Sequence, residues 1–250
     1  MNISGLIITY NEEKNIQDVL KCFDFCDEII IVDSYSTDNT LKIAQMHPKV
    51  KIIQNRFEDF TQQRNLALDN AQNDWVLFLD GDERITPQLR KEIIDELGKA
   101  DKKDAYYFYR KFFFAGKPIR FSGTQSDKNF RLFRKSKARY VAEKKVHETL
   151  HVNGTIGVLK NKLLHFSVSD YKTYKEKMIH YGTLKGKELA AKGKNFNLLT
   201  QYIKTGFRFF QAYILRLGIL DGKEGYQLCY LQSLSVFETY ESLKRERDNK

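Results

Sequence analysis

Cysteine, proline and long apolar runs are all scarce in this chain, and each scarcity excludes a class of protein. Three cysteines, Cys22, Cys26 and Cys229, are too few to frame a disulfide scaffold. Cys22 and Cys26 lie one helical turn apart with no second pair nearby, so they read as reduced core thiols. Three prolines and no low-complexity tract exclude an extended disordered protein, apart from the polar end at 244–250. No stretch reaches the roughly 18 apolar residues of a simple membrane span. No N-terminal signal is visible: residues 3–8 are too short for one, and Asn11-Glu12-Glu13 ends the run. A cytoplasmic protein is expected.

What is present begins with a 42% apolar composition over 250 residues, enough for one large domain or a domain with an appendage. The net charge of +10 is uneven. Residues 1–109 hold 13 Lys+Arg against 20 Asp+Glu, a net of −7. Residues 110–150 hold 12 against 3, and residues 151–250 hold 17 against 9, nets of +9 and +8. A basic surface can face nucleic acid, anionic lipid or a phosphorylated substrate. No RNA- or DNA-binding motif accompanies it, and a nucleic-acid module leaves the acidic first half unexplained.

The first hundred residues alternate short apolar runs with helical patterns. Residues 3–8, 29–32, 50–53 and 75–79 read as strands. Ile16, Val19, Leu20 and Phe23 mark one helical face, and Thr9-Tyr10-Asn11-Glu12-Glu13 opens that helix. Residues 61–71 read as another helix. Thr86 and Pro87 supply an N-cap and a first-turn proline for a helix carrying Leu89, Ile93 and Leu97. Such alternation predicts βαβ units and a parallel sheet. Residues 105–114, 130–133 and 163–166 follow as further strands. From residue 171 the chain turns helical, over 171–192, 196–220 and 226–243, with Gly222 and Gly225 breaking the last two apart.

Trp75-Val76-Leu77-Phe78-Leu79-Asp80-Gly81-Asp82-Glu83 is the most informative stretch. A five-residue apolar run suits a strand buried on both faces. Ligands in parallel sheets bind beyond the carboxyl ends of strands, where Asp80 and Asp82 would sit. Two hard oxygen ligands there suit Mg²⁺ or Mn²⁺ held together with substrate phosphates. The plain alternative is a turn, since Asp-Gly is a strong turn pair.

Four pieces coincide: Ile8-Thr9-Tyr10-Asn11-Glu12-Glu13, Val32-Asp33-Ser34-Tyr35-Ser36-Thr37-Asp38, Gln63-Arg64-Asn65-Leu66-Ala67 and Leu79-Asp80-Gly81-Asp82-Glu83. Their order and spacing resemble inverting glycosyltransferases of family 2. Phe130-Arg131-Leu132-Phe133-Arg134, Val146-His147-Glu148, Leu163-Leu164-His165-Phe166-Ser167 and Gly218-Ile219-Leu220-Asp221-Gly222 are similar to a bacterial branch that includes lipopolysaccharide core-biosynthesis glycosyltransferases. The resemblance implies an α/β protein of GT-A, Rossmann-like fold: a mixed, mainly parallel sheet flanked by helices, with a C-terminal helical extension. Residues 1–168 would form the catalytic domain, with 1–104 binding nucleotide and 105–168 on the acceptor side, and 169–250 the basic, aromatic extension. Tyr35 departs from the small residue, often Gly, usual at its place.

The resemblance also implies roles. Thr9, Tyr10, Asn11 and Glu12 would line the nucleotide-base pocket. Asp33 would accept a hydrogen bond from the base, which suits the N3–H of uracil. Arg64 would lie beside the base or phosphates, and Asp80 would approach the ribose or a metal-bound water. Asp82 would ligate the metal, and His165 would reach back to the metal or diphosphate. A cation bridging the phosphates stabilises the leaving diphosphate. Inversion needs a base to deprotonate the acceptor hydroxyl; Glu148 is the first candidate, Asp127 the second and Glu143 a weaker one, with His147 orienting Glu148 or binding a phosphate. Each residue also has a plainer reading. Asp33 and Asp38 fit as helix caps, Glu12 and Glu13 as dipole partners, and His165 as a hydrogen-bonded structural histidine. Arg131 and Arg134 belong partly to a solvated basic face, with one of them free to meet a phosphate. Gly123 would allow close backbone approach to the donor sugar.

The expected donor is a UDP-sugar and the expected acceptor a glycan or glycolipid of the lipopolysaccharide core or another envelope polysaccharide. Transfer to a polyprenyl phosphate is the alternative within the class. Nucleotidyltransferases begin with a Gly-rich loop and Arg/Lys, unlike Thr9-Tyr10-Asn11-Glu12. The intact Asp80-Gly81-Asp82 argues against a catalytically dead scaffold. Phe207, Phe210, Ile214 and Leu217 recur at helical spacing among Lys204, Arg208 and Arg216. That stripe either packs on the catalytic domain or lies on an anionic membrane, at the inner face of the plasma membrane, or joins a homodimer.

Overall fold

The structure is a computed structural model that describes residues 2–144, 147–168 and 170–248. In chain order the elements are β1 (Ile3–Thr9), α1 (Ile16–Lys21), β2 (Glu28–Asp33), α2 (Thr40–Gln45), β3 (Val50–Gln54), α3 (Phe60–Asn70), β4 (Trp75–Phe78), β5 (Glu83–Arg84) and α4 (Pro87–Gly98). There follow β6 (Ala105–Phe114), β7 (Lys117–Pro118), β8 (Lys128–Arg134), β9 (Ala138–Lys144), β10 (His147–Val152), β11 (Ile156–Val158) and β12 (Leu163–Val168). Three helices complete the chain: α5 (Tyr171–Ala191), α6 (Leu198–Phe210) and α7 (Gly222–Asp248). These elements divide into two units, Met1–Arg110 with Lys128–His165, and Lys111–Asp127 with Phe166–Lys250. The helical unit thus includes residues 111–127, which the sequence places with the strands.

In the first unit the strands run in the order β3-β2-β1-β4-β8-β6. β1 pairs in parallel with β2 and β4, and β2 with β3. β8 joins antiparallel to β4 and β6, giving the expected mixed, mainly parallel sheet. Leu6 lies in register with Ile30 on one side and Phe78 on the other.

Successive side chains of a strand point to opposite faces. Ile29, Ile31, Trp75 and Leu77 enter a core with Val19 and Phe23 of the α1 region and Leu89 and Ile93 of α4. Ile30, Val32, Val76 and Phe78 enter a second core with Ala67 and Leu68 of α3. Both faces are covered, so these strands read as unbroken apolar runs rather than alternating ones. Truncating a side chain such as Phe78 in a core of this kind costs about 3–5 kcal/mol.

The order reverses at β1, with β2 on one side and β4 on the other, so a crevice lies at the carboxyl ends of β1, β2 and β4. Thr86 caps α4 by accepting from the Leu89 N–H at 3.1 Å, with Pro87 at the first position, as expected. The first helix differs: it starts at Ile16, not at Thr9. Asn11 adopts φ +54°, and the Glu12 and Glu13 N–H groups donate to Thr40 Oγ1 and Asp38 Oδ2 at 2.8 and 3.1 Å. The left-handed backbone at Asn11 interrupts helical continuity from Thr9.

The second unit centres on α5 against α7. Gly182 and Gly186 of α5 sit where a Cβ would collide with the Ser235 and Thr239 carbonyls, so the backbones approach closely, and Ser242 Oγ donates to the Thr183 carbonyl at 2.9 Å. The last helix begins at Gly222, earlier than expected, and includes Gly225, which packs directly on the Gly218 carbonyl where no side chain fits. Gly123, at φ +90°, lies against the Arg216 guanidinium, which fills the space of a Cβ. Among the described residues no helix is long and apolar enough to cross a membrane.

Candidate functional site

The loop leaving β4 is fixed by its own backbone. Leu79 N–H donates to the Leu6 carbonyl at 3.1 Å, Glu83 N–H to the Asp80 carbonyl at 3.0 Å, and Asp80 N–H to Glu83 Oε2 at 3.1 Å. At Gly81 an added Cβ would stand 3.0 Å from the Glu12 carboxyl carbon, so the loop and the turn after β1 interlock here.

Asp80 is held by two guanidiniums. Arg64 Nη2 of α3 approaches Oδ1 at 2.8 Å, and Arg131 Nη2 of β8 bonds Oδ2. Arg131 also donates to Glu83 Oε1 at 2.7 Å, and Arg110 lies 3.5 Å from the same oxygen. The Arg64 guanidinium sits 4.6 Å above the Phe78 ring, a favourable cation–π arrangement. Burial pushes the Asp80 carboxyl up, but Arg131 and Arg64 more than offset this and hold it well below the usual carboxylate range. Burial raises Glu83 despite Arg131. For Arg131 burial acts downward, and Asp80 and Glu83 outweigh it, so the guanidinium stays charged. Three cations meet two carboxylates, leaving a local positive excess suited to a phosphorylated ligand.

Arg131 and Glu83 alter the expectation from sequence. The sequence places Arg131 partly on a solvated face; in the structure its side chain is 4% exposed and completes the ion cluster. Glu83, fully buried, carries no signal of its own in the sequence beyond closing the Asp80-Gly81-Asp82 motif. One signal was available: Arg131 interrupts the apolar Phe130-Leu132-Phe133 pattern of a buried strand, and a buried charge requires a partner.

Beside this cluster a cleft of about 380 Å³ is lined by residues including Arg64, Asp80, Lys128, Arg131, Thr149 and Leu150. Tyr107 and Phe130 stack at 3.7 Å in its wall, and Lys128 Nζ lies 4.5 Å from the Tyr107 ring. The β9–β10 hairpin is tied to α3 by Asn65, whose Nδ2 donates to the Tyr140 carbonyl at 2.9 Å and whose Oδ1 accepts from the Tyr140 N–H at 3.2 Å.

Asp82 pairs with His165 of β12, Oδ2 to Nε2 at 3.4 Å. The pairing of β12 with β5, which sets His165 opposite Glu83, makes the approach. Glu12 lies near enough to Asp82 to feel its charge; burial first, and then Asp82, raise the Glu12 carboxyl. Two donors in neighbouring positions on a Mg²⁺ or Mn²⁺ ion stand about 3 Å apart, so Asp82 and His165 fit two ligands of such an ion. Among the described residues no group of three His, Cys, Asp or Glu gathers as a metal cage. Remaining positions would fall to phosphate oxygens and water, as is usual for Mg²⁺.

The turns after β1 and β2 are zipped together. Asn11 N–H donates to Ser36 Oγ at 2.9 Å, Thr37 N–H to Asn11 Oδ1 at 2.8 Å, and Asn39 Nδ2 to Glu13 Oε1 at 2.9 Å. Asp33 is buried, accepting from the Ser36 N–H at 2.9 Å and from Ser36 Oγ. Asp38 accepts from the Thr40 N–H at 3.0 Å, a helix-entry contact. Tyr35, at φ +63°, occupies the left-handed region, which accounts for the small residue usual there. Thr9 Oγ1 is buried with no hydrogen-bond partner among the described residues. Tyr10 is exposed.

The base candidates divide. Glu148 stands on β10 one residue from Thr149 in the cleft wall, but its side chain, like those of Glu143 and His147, lies outside the described residues. Asp127 belongs to the second unit and is the last residue before the chain returns to the first.

Comparison with known proteins gives a consistent answer. The sequence profile of glycosyl transferase family 2 matches residues 4–163. The lipopolysaccharide core biosynthesis glycosyltransferase LpsC of Rhizobium meliloti is 30% identical over 95% of this chain and 93% of its own length. An uncharacterized glycosyltransferase of Rickettsia typhi is 28% identical over 90% of this chain and 80% of its own. Among solved structures, residues 1–349 of Staphylococcus aureus TarS in complex with UDP-GlcNAc align with a TM-score of 0.53 and 18% identity, covering all of this chain and 93% of that one.

Proposed function

The chain belongs to glycosyl transferase family 2, and from that premise we propose that it moves a hexose from a UDP-sugar, with inversion, to a glycan acceptor of the lipopolysaccharide core or a related envelope polysaccharide. One observation carries the reading. At the carboxyl end of buried β4, Arg64 and Arg131 engage Asp80, while Asp82, one residue past Gly81, stands with His165. The two carboxylates of one turn thereby divide in role. Asp80 orders the guanidiniums beside the phosphates, and its own contact to ribose or water is secondary. Asp82 and His165 hold the divalent cation, which when bound offsets the charge developing on the leaving diphosphate.

The nucleoside end falls to the zipped turns. Thr9 Oγ1 offers an unused buried hydroxyl, and Tyr10, Asn11 and Glu12 would line the base beside it. A carboxylate has about four lone-pair sites, so Asp33 retains capacity for the N3–H of uracil. Ser36 takes one site on each Asp33 oxygen, and the remaining ones are those a base would meet. Glu148 takes the acceptor proton, with Asp127 the alternative base. The name of the Rhizobium relative supports a lipopolysaccharide acceptor. A lipid-linked acceptor also brings an anionic membrane at the inner face of the plasma membrane as a partner, with a second copy of the chain as the other candidate.

The test is a thermal-shift panel of UDP-, GDP- and dTDP-sugars with and without Mn²⁺. UDP-sugars are expected to raise the unfolding temperature most, and only fully with metal. Absence of any metal-dependent stabilisation by a nucleotide sugar sinks the proposal.

A further inference from the structure

Helix α6 is amphipathic in the reverse sense. Its inward face is polar: Gln201 is buried and donates to Glu241 Oε1 at 2.7 Å and to the Phe237 carbonyl at 3.2 Å, and Arg208 donates to Gln232 at 2.9 Å. Its outward face carries Leu199, Tyr202, Ile203, Phe207 and Phe210, with Leu199 69% and Ile203 59% exposed. A helix at a water-facing surface places its residues the other way round. The apolar face continues past the helix. Residues 211–215 form a π turn and 218–221 a 3₁₀ turn, and Leu215, Ile219 and Leu220 are exposed.

This second stretch is held outward. Asp221 accepts from the Arg120 and Phe121 N–H groups at 3.0 and 2.9 Å, and the Arg216 carbonyl accepts from the Ser122 N–H at 3.0 Å. Leu217 takes φ +57° within the turn, and Gly225 seats on Gly218. The side chains therefore stand on a braced frame rather than on a loose tail. Such an exposed apolar surface marks an interaction site.

Charge selects the occupant. From residue 189 to residue 220 the sequence contains no Asp or Glu, yet holds the exposed Lys192, Lys194, Lys204 and Arg216, besides Arg208 on the inward face. A two-fold contact between copies would bring these cations face to face with no carboxylate from the same segment to pair them. A bilayer with anionic headgroups supplies both an apolar phase and the opposite charge. We infer that α6 and the 211–220 turn form an in-plane membrane-docking surface that inserts its apolar face among anionic lipids. This deepens the membrane-borne acceptor reading, on which its purpose rests, but lipid binding itself requires neither donor nor turnover.

The experiment is flotation of the full chain with vesicles of phosphatidylcholine alone and of phosphatidylcholine mixed with phosphatidylglycerol. The protein is expected to float with the mixed vesicles, and raised salt is expected to weaken this. The double substitution Ile203→Ser/Phe207→Ser is expected to lower the bound fraction about tenfold or more, with its unfolding temperature maintained because both side chains face outward. No flotation with anionic vesicles, or flotation untouched by the double substitution, overturns the inference. So does a lipid-free dimer, seen by light scattering, that the same substitution dissociates. Nucleotide thermal shifts on the same preparation separate the two claims: flotation without a nucleotide shift upholds docking while removing the proposed nucleotide-sugar donor.

Discussion

Arg131→Met removes one cation from a cluster in which it serves two carboxylates. Asp80 loses less, because Arg64 remains at 2.8 Å and the side chain is 28% exposed. Glu83 loses more: it is fully buried, its 2.7 Å partner disappears, and Arg110 stands off at 3.5 Å. Removing one partner of a buried ion pair costs about 3–5 kcal/mol, a large share of the roughly 5–15 kcal/mol stability of a typical domain. The penalty should depend on pH. Glu83 is already raised by burial, and loss of Arg131 raises it further. An acid whose folded pKa lies above its unfolded value of about 4.3 binds its proton more tightly in the folded state. The variant's deficit is therefore smallest at low pH and grows as pH rises through the folded pKa. Denaturant titrations followed by the fluorescence of Trp75, the single tryptophan and nearly buried in β4, measure this from about pH 5 to about pH 8. Arg131→Lys, which keeps the charge without the planar fork, should fall between wild type and Met. A deficit below about 1 kcal/mol, as for a surface pair, or one constant across that range, refutes the reasoning.

Asp82→Asn should abolish the Mn²⁺-dependent part of the nucleotide thermal shift and leave the ligand-free unfolding temperature close to wild type. Glu148→Gln should lower kcat by about 10²–10⁴ with calorimetric donor binding intact; full activity would move the base to Asp127 or favour an acceptor that is already an anion, such as a polyprenyl phosphate. Gly81→Ala should cost about 1–3 kcal/mol, and Glu12→Ala in the same chain should recover most of it, as a double-mutant cycle reads directly. Asp80 is held below its ordinary range, so its stabilisation is present above about pH 3.9 and is lost as pH falls through the folded value; acid titration of Asp80→Asn should show a shallower loss.

The parallel half of the fold was legible because both faces of β1, β2 and β4 are covered, which leaves uninterrupted apolar runs. β6 was also readable from its aromatic stretch, and α4 from Thr86-Pro87. The β9–β10 hairpin was not: residues 138–152 mix Arg, Lys, Glu and His with single apolar residues, and among the described residues Ala138, Tyr140 and Leu150 enter a core with Val152 at its edge. β5, β7 and β11 are two or three residues long, too short for any period to register. In the site, Asp80 and Asp82 stand out as carboxylates at a strand end, Arg64 and His165 only through the family resemblance, and the structure brings Arg64 to Asp80 and His165 to Asp82. Missing from the reading were contacts made across strands, Arg131 to Glu83 above all, which no local spacing encodes.

The ion cluster also sets an order of assembly. Arg131 is separated by 51 and 48 residues from the Asp80 and Glu83 carboxylates it joins. Chains emerge from synthesis N-terminus first at about 5–20 residues per second, so β1 to β4 are available for several seconds before β8 arrives. At the start of that interval Glu83 has neither Arg131 nor Arg110, and through all of it Glu83 lacks Arg131, its nearer partner, so a sheet that closed early would trap a poorly paired charge. The nascent first half is thus biased to remain open at the β4 edge until β8 adds to it.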